Sequence, residues 1–328
     1  MFDTQRMRRN PAKRSGLLDG MVSRQRTDVA FQTDSNVVVY LIHGVTGTPA
    51  EMGYLARQIA HHGWNVYATT LPGHCTRLRA LLKTSEQDWV NHVHSQLVFM
   101  RERYDHVFVA GLSAGGLLGL LGSLAVTVDG IGVLSPTIVY DGWNTPWTHA
   151  ILPFAMKLVP RPLQHVLFHV DGPPYGIKDE GLQARVRAAY SPIRILREWL
   201  GCWWAGWKTK ADTHTQHPPA AALQGFPLFP LKTLTDIDGL IRRVRARLRE
   251  VTVPTVILQA REDDMTSPRN AYIVHDEIAS KEKRLVLLDD CYHVITVDKQ
   301  QEAVARHLIE FFGAQTSRRG EKGDGLLL

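Results

Sequence analysis

The segment that most constrains the fold is residues 106–116, where a short apolar run meets a Gly-x-Ser-x-Gly pattern centred on Ser113. The β-branched and aromatic residues at its start predict a buried strand, and the apolar residues 117–125 predict a helix. A strand that enters a helix through one tight turn strains the central residue, and the flanking positions need glycine because a Cβ would collide with the neighbouring chain. The pattern therefore predicts that the Ser113 hydroxyl is presented at a helix N-terminus, as a nucleophile requires.

Short apolar runs alternate with amphipathic segments along most of the chain. We predict strands at residues 36–42, 64–69, 106–110, 130–134, 254–259 and 284–288, and helices at 48–63, 85–104, 117–125, 268–278 and 298–312. Strands that are apolar throughout and separated by helices predict an α/β fold, with a mostly parallel sheet and helices on both faces.

The alternation stops near residue 137 and resumes close to residue 250, and this interruption is too long to be a connecting loop. We therefore expect a core formed by residues 31–136 and 250–314. The segment between them, residues 137–249, is expected to form a large inserted cap or lid.

The net charge of +6 is concentrated near the N-terminus. Residues 1–26 hold seven Lys or Arg side chains against two Asp, and the rest of the chain is close to neutral. This distribution predicts a solvated, flexible arm at residues 1–30 and no nucleic-acid partner. The arginines of residues 236–250 lie on one side of an amphipathic segment and predict a solvated face. Residues 315–328 are polar and predict a flexible tail.

The composition is that of an ordinary globular protein, with 44% apolar and 21% charged residues. No apolar run is long enough to cross a bilayer, and the N-terminal segment lacks the hydrophobic centre of a secretory signal. Cys75, Cys202 and Cys291 are far apart and have no metal-ligand spacing. Free thiols in a reducing compartment are the simplest interpretation, so we expect a cytoplasmic protein.

A serine hydroxyl needs a base, and a histidine held by a carboxylate is the usual partner. In folds with this kind of serine turn, the acid and the base follow the serine in the chain, at the carboxyl ends of later strands. His293 lies in a short turn between the last predicted strand and the last helix, whereas His275 and His307 lie inside predicted helices. We therefore predict that His293 is the general base.

The acid is expected just beyond the strand at residues 254–259. Glu262, Asp263 and Asp264 are adjacent there, and their position in the sequence leaves all three open.

Backbone N–H groups are expected to stabilise the oxyanion, because they are fixed before the reaction starts. Ala114 directly follows the serine and supplies one N–H at the helix N-terminus. The second should come from the loop after the first predicted strand, where Gly44 and Gly47 allow a close approach of the backbone. We predict that Val45 is the second donor.

These segments together resemble the α/β-hydrolase superfamily, and within it the bacterial carboxylesterase and monoacylglycerol lipase group. The resemblance rests on His-Gly-Val-Thr-Gly-Thr-Pro at residues 43–49, Leu-Pro-Gly-His at 71–74, Gly-Leu-Ser-Ala-Gly-Gly at 111–116, Arg-Glu-Asp-Asp-Met at 261–265 and His-Val-Ile-Thr at 293–296. It implies an α/β-hydrolase fold with Ser113 as nucleophile, Asp263 as acid, His293 as base, and backbone donors at Val45 and Ala114. The inserted cap is longer than in compact members, so the family's substrate range does not transfer with the motifs.

The expected activity is that of a serine carboxylic-ester hydrolase that forms an acyl-enzyme and needs no metal or cofactor. Six of the eight tryptophans lie in the inserted segment, which favours a pocket for a hydrophobic acyl or aryl ester. As pocket residues we predict Trp143, Trp147, Trp204 and Met265. The same tryptophans would also suit the small core of a cap, or contact with a lipid interface or another subunit.

Two other functions stay open at this point. The same acyl-enzyme would serve an amidase, a thioesterase or an acyltransferase, and the fold alone does not choose between them. A binding protein that has kept the fold without turnover is the second alternative, although it would need neither the serine nor its predicted partners. The sequence does not indicate an oligomeric state.

Overall fold

The structure is a computed structural model. It describes residues 27–145, 152–170, 172–190, 192, 195, 196, 200, 225, 226 and 228–324. The elements, in chain order, are β1 (Val29–Phe31), β2 (Val37–Ile42), α1 (Gly53–His61), β3 (Asn65–Ala68), α2 (Leu78–Leu82), α3 (Glu86–Arg101), β4 (His106–Leu112), α4 (Ala114–Ala125), β5 (Gly130–Leu134), α5 (Leu152–Leu158), α6 (Arg161–Gln164), β6 (Phe168–Val170), α7 (Glu180–Ala189), β7 (Leu228–Pro230), α8 (Leu231–Arg245), β8 (Thr255–Ala260), α9 (Arg269–Glu277), β9 (Lys283–Leu288) and α10 (Gln301–Asp324). Short 3-10 turns at Pro49–Met52 and Leu248–Glu250 precede α1 and follow α8.

The main sheet has seven strands in the order β1-β3-β2-β4-β5-β8-β9. All neighbouring strands are parallel except β1, which pairs antiparallel with β3. The carboxyl ends of the parallel strands share one edge, so the loops that follow β2, β4, β5, β8 and β9 meet there. The predicted α/β-hydrolase fold, with its mostly parallel sheet, is confirmed. The short strand β1 was not predicted, because residues 1–30 read as a basic arm.

Both faces of the sheet are covered by helices. Alternate residues of β2 point to opposite sides: Val38, Tyr40 and Ile42 belong to one apolar cluster, and Val37, Val39 and Leu41 to the other. The first cluster includes residues of α3, α4 and α8, and the second includes residues of α1 and α10. A strand buried on both faces is the reason that these sequences are apolar throughout instead of alternating.

The helix α8 packs against the core helices. Leu240, Ile241 and Val244 are buried in the same apolar cluster as α3 and α4. The predicted cap, residues 137–249, includes α8. An amphipathic pattern shows that one face of a helix is buried, but it does not show which part of the protein buries that face. The chain therefore returns to the core at α8, ahead of residue 250.

The described part of the inserted segment contains α5, α6, α7 and the two-stranded antiparallel sheet β6–β7. No strands were predicted there, and each of these strands is only three residues long. At the other end of the chain, α10 continues to Asp324, whereas a flexible tail was predicted from residue 315. None of the described helices is long and apolar enough to cross a bilayer.

Candidate active site

Ser113 occupies the sharp turn between β4 and α4. Its backbone has φ 56° and ψ −122°, a conformation that L-residues rarely adopt. A Cβ on Gly111 would lie 2.2 Å from the carbonyl of Gly115, and a Cβ on Gly115 would lie 2.4 Å from the Ile42 carbonyl oxygen. The strained serine and the two glycines therefore form the predicted turn, and no larger residue fits at either glycine.

His293 and Asp263 meet although 30 residues separate them in the chain. His293 Nδ1 lies 2.9 Å from Asp263 Oδ2 and 3.1 Å from Asp263 Oδ1. The exposed fractions of the two side chains are 6% and 0%. The loops after β8 and β9 thus bring the predicted acid and base into contact, shielded from water. A buried carboxylate at Nδ1 keeps the proton on that nitrogen and leaves Nε2 as the basic atom.

The Asp263 carboxylate is held by donors from its own turn. Gln259 Nε2 donates to Oδ2 at 2.8 Å, and the backbone N–H groups of Met265 and Thr266 donate to Oδ1 at 2.9 Å and 2.7 Å. The Thr266 hydroxyl lies 3.2 Å from both Asp263 Oδ2 and His293 Nδ1. These donors fix the carboxylate and compensate its burial.

The two neighbouring carboxylates take other positions. Asp264 accepts from the backbone N–H of Gly176 at 3.1 Å and from that of His293 at 3.4 Å. Burial raises the pKa of Asp264 to about 6, an effect that the nearby His293 partly offsets. Glu262 is exposed and forms an ion pair with Lys178. Of the three carboxylates left open by the sequence, Asp263 is the one that contacts the His293 ring.

The loop after β2 lies beside Ser113. The N–H of Gly44 donates to Glu51 Oε2 at 3.3 Å, that of Thr46 to His74 Nε2 at 3.0 Å, and that of Gly47 to the Gly44 carbonyl at 3.0 Å. Val45 N–H takes part in none of these three bonds, and Val45 lines the same cavity as Ser113.

Ala114, the first residue of α4, lines that cavity too. The first N–H groups of a helix have no partner within the helix, so this one is suited to an external acceptor. Both predicted oxyanion donors are therefore next to the serine.

Two buried histidines lock this loop to the chain after β3. His43 Nε2 accepts from the Leu71 N–H at 3.1 Å, and His74 Nδ1 lies 3.0 Å from the Pro72 carbonyl oxygen. Burial lowers the pKa of His74 to about 4 and that of His43 well below its usual value. Both rings are therefore neutral near pH 7, which suits their hydrogen bonds to the backbone. The His-Gly and Pro-Gly-His motifs thus hold each other in place.

Glu51 is a buried carboxyl group in the wall of the cavity at Ser113. It accepts hydrogen bonds from the backbone N–H groups of Thr48 and Gly44. Burial raises its pKa to about 8, and the two hydrogen bonds oppose that shift. The bond from the Thr48 N–H is the one that a glutamate three residues after a helix N-cap makes in a capping box. The second bond comes from the Gly44 N–H, in the loop after β2, and could not be predicted from the sequence.

The cavity at Ser113 has a volume of about 90 Å³, and His293 lines it as well. A second cavity, of about 300 Å³, lies beside it. Tyr140, Phe229 and Met265 line both, so the two volumes share one wall. Met265 was among the predicted pocket residues, and the other side chains were not.

Trp143 requires a correction. Its side chain is 60% exposed, its indole N–H donates to the Glu262 carbonyl at 2.9 Å, and its ring packs edge-on against Tyr292. Trp143 lines neither of the two cavities described above. Its hydrogen bond to Glu262 holds the indole on the outer surface of the turn that carries Asp263. Trp147 and Trp204 lie outside the described residues.

Thr137 was missed by the sequence analysis. Its hydroxyl oxygen lies 2.7 Å from Ser113 Oγ, and the residue is 2% exposed. It lies three residues after the end of β5, and no motif includes it.

Elsewhere in the described residues, no group of three or more His, Cys, Asp or Glu side chains is placed to hold a metal ion.

The family model described as the alpha/beta hydrolase family matches residues 39–307. The chain belongs to this family. It is 27% identical over 282 residues to the thermostable monoacylglycerol lipase of Bacillus sp. (strain H-257), covering 86% of this chain and 92% of the relative. It is 25% identical over 281 residues to the carboxylesterase of Bacillus subtilis (strain 168), covering 83% and 91%.

Among solved structures, one reported for the metagenome-derived lipolytic enzymes LipS and LipT superposes with a TM-score of 0.67 at 22% identity. The superposition covers 88% of this chain and 97% of the chain in the solved structure. At 22% identity, this similarity shows that the two proteins share a fold. The resemblance stated from the motifs is confirmed.

Proposed function

We propose that this protein is a serine carboxylic-ester hydrolase with Ser113 as nucleophile, His293 as general base and Asp263 as the acid. The observation that carries the proposal is that Ser113, on its strained turn, lines the same cavity as His293, whose Nδ1 is held by Asp263 at 2.9 Å. The family membership and the two relatives, a monoacylglycerol lipase and a carboxylesterase, support ester hydrolysis.

In the acylation half-reaction, Ser113 Oγ attacks the ester carbonyl carbon while its proton moves to His293 Nε2. The carbonyl electron pair moves to oxygen, where the N–H groups of Val45 and Ala114 stabilise the oxyanion. Asp263 stabilises the imidazolium. When the tetrahedral intermediate collapses, the C–O bond to the alcohol breaks and the proton on Nε2 passes to the leaving oxygen.

In the deacylation half-reaction, water attacks the acyl carbon and gives one proton to His293 Nε2. The same two N–H groups stabilise the second oxyanion. The bond to Ser113 Oγ then breaks, and Oγ takes the proton from His293. The acid is released and the enzyme regains its starting protonation.

The substrate is proposed to be a small-molecule ester with a hydrophobic acyl or aryl group. Apolar side chains such as Tyr140, Phe229 and Met265 form the shared wall of the two cavities beside Ser113. Cytoplasmic localisation and the division into core and cap stay predictions.

The experiment that tests this function is a comparison of p-nitrophenyl butyrate with the matching p-nitroanilide and thioester. We expect the wild-type protein to hydrolyse the ester fastest and Ser113→Ala to lose turnover by several orders of magnitude. Preference for the anilide or the thioester would favour the amidase or thioesterase alternative. No turnover of any of the three would favour a binding protein.

A further inference from the structure

The hydroxyl of Thr137 is in direct contact with the proposed nucleophile. Its Oγ1 lies 2.7 Å from Ser113 Oγ, a normal length for a hydrogen bond between two hydroxyl groups. Thr137 also lines the catalytic cavity. A buried hydroxyl in this position affects the proton arrangement around the reacting oxygen.

The backbone at Thr137 is held rigidly. The N–H groups of the next two residues, Ile138 and Val139, both donate to Asn270 Oδ1, at 2.8 Å and 2.6 Å. Asn270 is fully buried and its side-chain nitrogen donates to Asp141 Oδ1 at 2.9 Å. The backbone directly after Thr137 is thus fixed by hydrogen bonds to a buried side chain.

The same network reaches the turn that carries the acid. The Asp141 carboxylate accepts from the backbone N–H and the hydroxyl of Ser267, both at 2.8 Å. Ser267 follows Thr266, which donates to Asp263. The segment that carries Thr137 and the turn that carries Asp263 are therefore parts of one hydrogen-bonded unit.

The direction of the hydrogen bond follows from a count of protons. Each hydroxyl has one proton. If Ser113 directs its proton to His293 Nε2, as acylation requires, the proton between the two hydroxyl oxygens must come from Thr137. Ser113 Oγ can accept this bond while it donates to His293, because a hydroxyl oxygen has two lone pairs.

We propose that Thr137 is a further catalytic residue of the proposed ester hydrolysis, and that its hydroxyl donates a hydrogen bond to Ser113 Oγ. Negative charge builds up on Oγ when its proton leaves during acylation. It builds up again in deacylation, when the bond from the acyl carbon to Oγ breaks and the electron pair moves to Oγ. Thr137 stabilises Oγ at both stages and keeps its own proton, while His293 carries the proton that is transferred.

The test compares Thr137→Val, which keeps the shape and removes the hydroxyl, with Thr137→Ser, which keeps the hydroxyl. Thr233→Val is the matched control, since Thr233 is a buried threonine whose hydroxyl forms no hydrogen bond within the described chain. The readouts are kcat and KM for p-nitrophenyl butyrate and the rate of labelling by an organophosphonate probe. The final extent of labelling counts the folded active sites, so rates are expressed per site.

We expect Thr137→Val to lower kcat and the labelling rate by about tenfold to a hundredfold, with KM nearly unchanged. Thr137→Ser should restore both to within about threefold of wild type, and Thr233→Val should change neither by more than about twofold.

The inference is overturned if Thr137→Val is as fast as the wild type or faster, because Thr137 would then hold the serine away from His293. It is overturned as well if Thr137→Ser is as slow as Thr137→Val, because packing would then explain the loss. Ser113→Ala is measured alongside, because the inference rests on the proposed function. If that variant still hydrolyses the ester, the proposed function itself fails. If it is inactive, the Thr137 variants test the inference alone.

Discussion

His293 Nδ1 lies 2.9 Å from Asp263 Oδ2, and both side chains are almost fully enclosed by protein. A hydrogen bond to a carboxylate in such surroundings is stronger than in water and allows only one tautomer of the imidazole. Asp263 therefore determines that the proton of the His293 ring lies on Nδ1 and that Nε2 is left as the unprotonated nitrogen.

Replacing Asp263 with Asn should impair catalysis far more than folding. In Asp263→Asn the new side-chain amide would donate to His293 Nδ1 and favour the wrong tautomer, so we expect kcat to fall by about a thousandfold to ten-thousandfold. The measurement is kcat for p-nitrophenyl butyrate, with the midpoint of urea unfolding as the check on stability. Asp289→Asn, at an exposed partner of Arg261, is the control and should stay near wild type. A loss of less than about tenfold in Asp263→Asn would contradict the assignment of the acid.

Glu51 should make stability fall as the pH rises towards alkaline values. Burial raises its pKa to about 8, so the folded state keeps a proton that the unfolded state, with a pKa near 4.5, releases earlier. The folded protein therefore binds more protons between these two values, and the free energy of unfolding falls across this window. The fall levels off above about pH 8. For a fully buried group the total loss is on the order of 3–5 kcal/mol.

The test is the free energy of unfolding of the wild type and of Glu51→Gln at pH 6.5, 7.3 and 8, across which the wild-type value should fall by about 2 kcal/mol. His43 and His74, whose pKa values are lowered, change stability only below about pH 6.5, so they do not enter this range. Glu51→Gln loses one acceptor and starts from a lower stability, but its curve should be flatter than that of the wild type. Parallel curves would show that Glu51 is already ionised at pH 7.

Gly115 should tolerate no side chain. In Gly115→Ala the new Cβ would lie 2.4 Å from the Ile42 carbonyl oxygen and 2.7 Å from that of His43, so the end of β2 or the start of α4 must shift. We expect a destabilisation of about 2–4 kcal/mol and a loss of probe labelling. Gly53→Ala is the matched control, because its Cβ would come no closer than 3.6 Å to the Arg57 guanidinium. Full labelling of Gly115→Ala at the wild-type rate would contradict the tight turn described here.

Asp298 connects residues 178 and 179 to the loop that carries His293. Its buried carboxylate accepts from the backbone N–H groups of Lys178 at 2.7 Å, Asp179 at 3.0 Å and Tyr292 at 2.8 Å. Asp298→Ala would leave these donors without an acceptor, and we expect it to cost about 2–4 kcal/mol in the free energy of unfolding.

The measurement for Asp298→Ala is urea unfolding combined with limited proteolysis. Proteolysis should become faster within residues 172–190, which lose the attachment through Asp298 and keep the one from Gly176 to Asp264. Asp276→Ala, at an exposed carboxylate paired with His275, is the control and should unfold like the wild type. A change of less than about 1 kcal/mol in Asp298→Ala would show that this carboxylate does not hold residues 172–190 in place.

The sheet and the serine turn could be predicted because the residues that determine them lie close together in the sequence. Strands such as β2 and β5 are buried on both faces and read as continuous apolar runs, and the turn at Ser113 needs glycines at fixed positions. The choice between Asp263 and Asp264 was different. Neighbouring side chains in a turn point in different directions, and only the hydrogen bonds of the turn decide which carboxylate reaches His293.

The features that the sequence did not reveal depend on contacts between distant segments. Thr137 contacts Ser113 from a segment whose next two residues, Ile138 and Val139, donate to Asn270, more than 130 residues further along the chain. No spacing rule signals such a contact. Trp143 looked like a pocket residue by its type and region, and its position on the surface follows from a hydrogen bond to Glu262. The strands β6 and β7 have three residues each, too few for a recognisable strand pattern in the sequence.

If Ser113 is the nucleophile of a serine hydrolase, it forms a covalent adduct that can be trapped and located. The protein is incubated with an organophosphonate probe, the intact mass is measured, and the modified peptide is sequenced by tandem mass spectrometry. We expect one phosphonyl group per chain, attached to Ser113, with no adduct in Ser113→Ala and much slower formation in His293→Ala. No adduct on the wild-type protein, or an adduct on another residue, would contradict it.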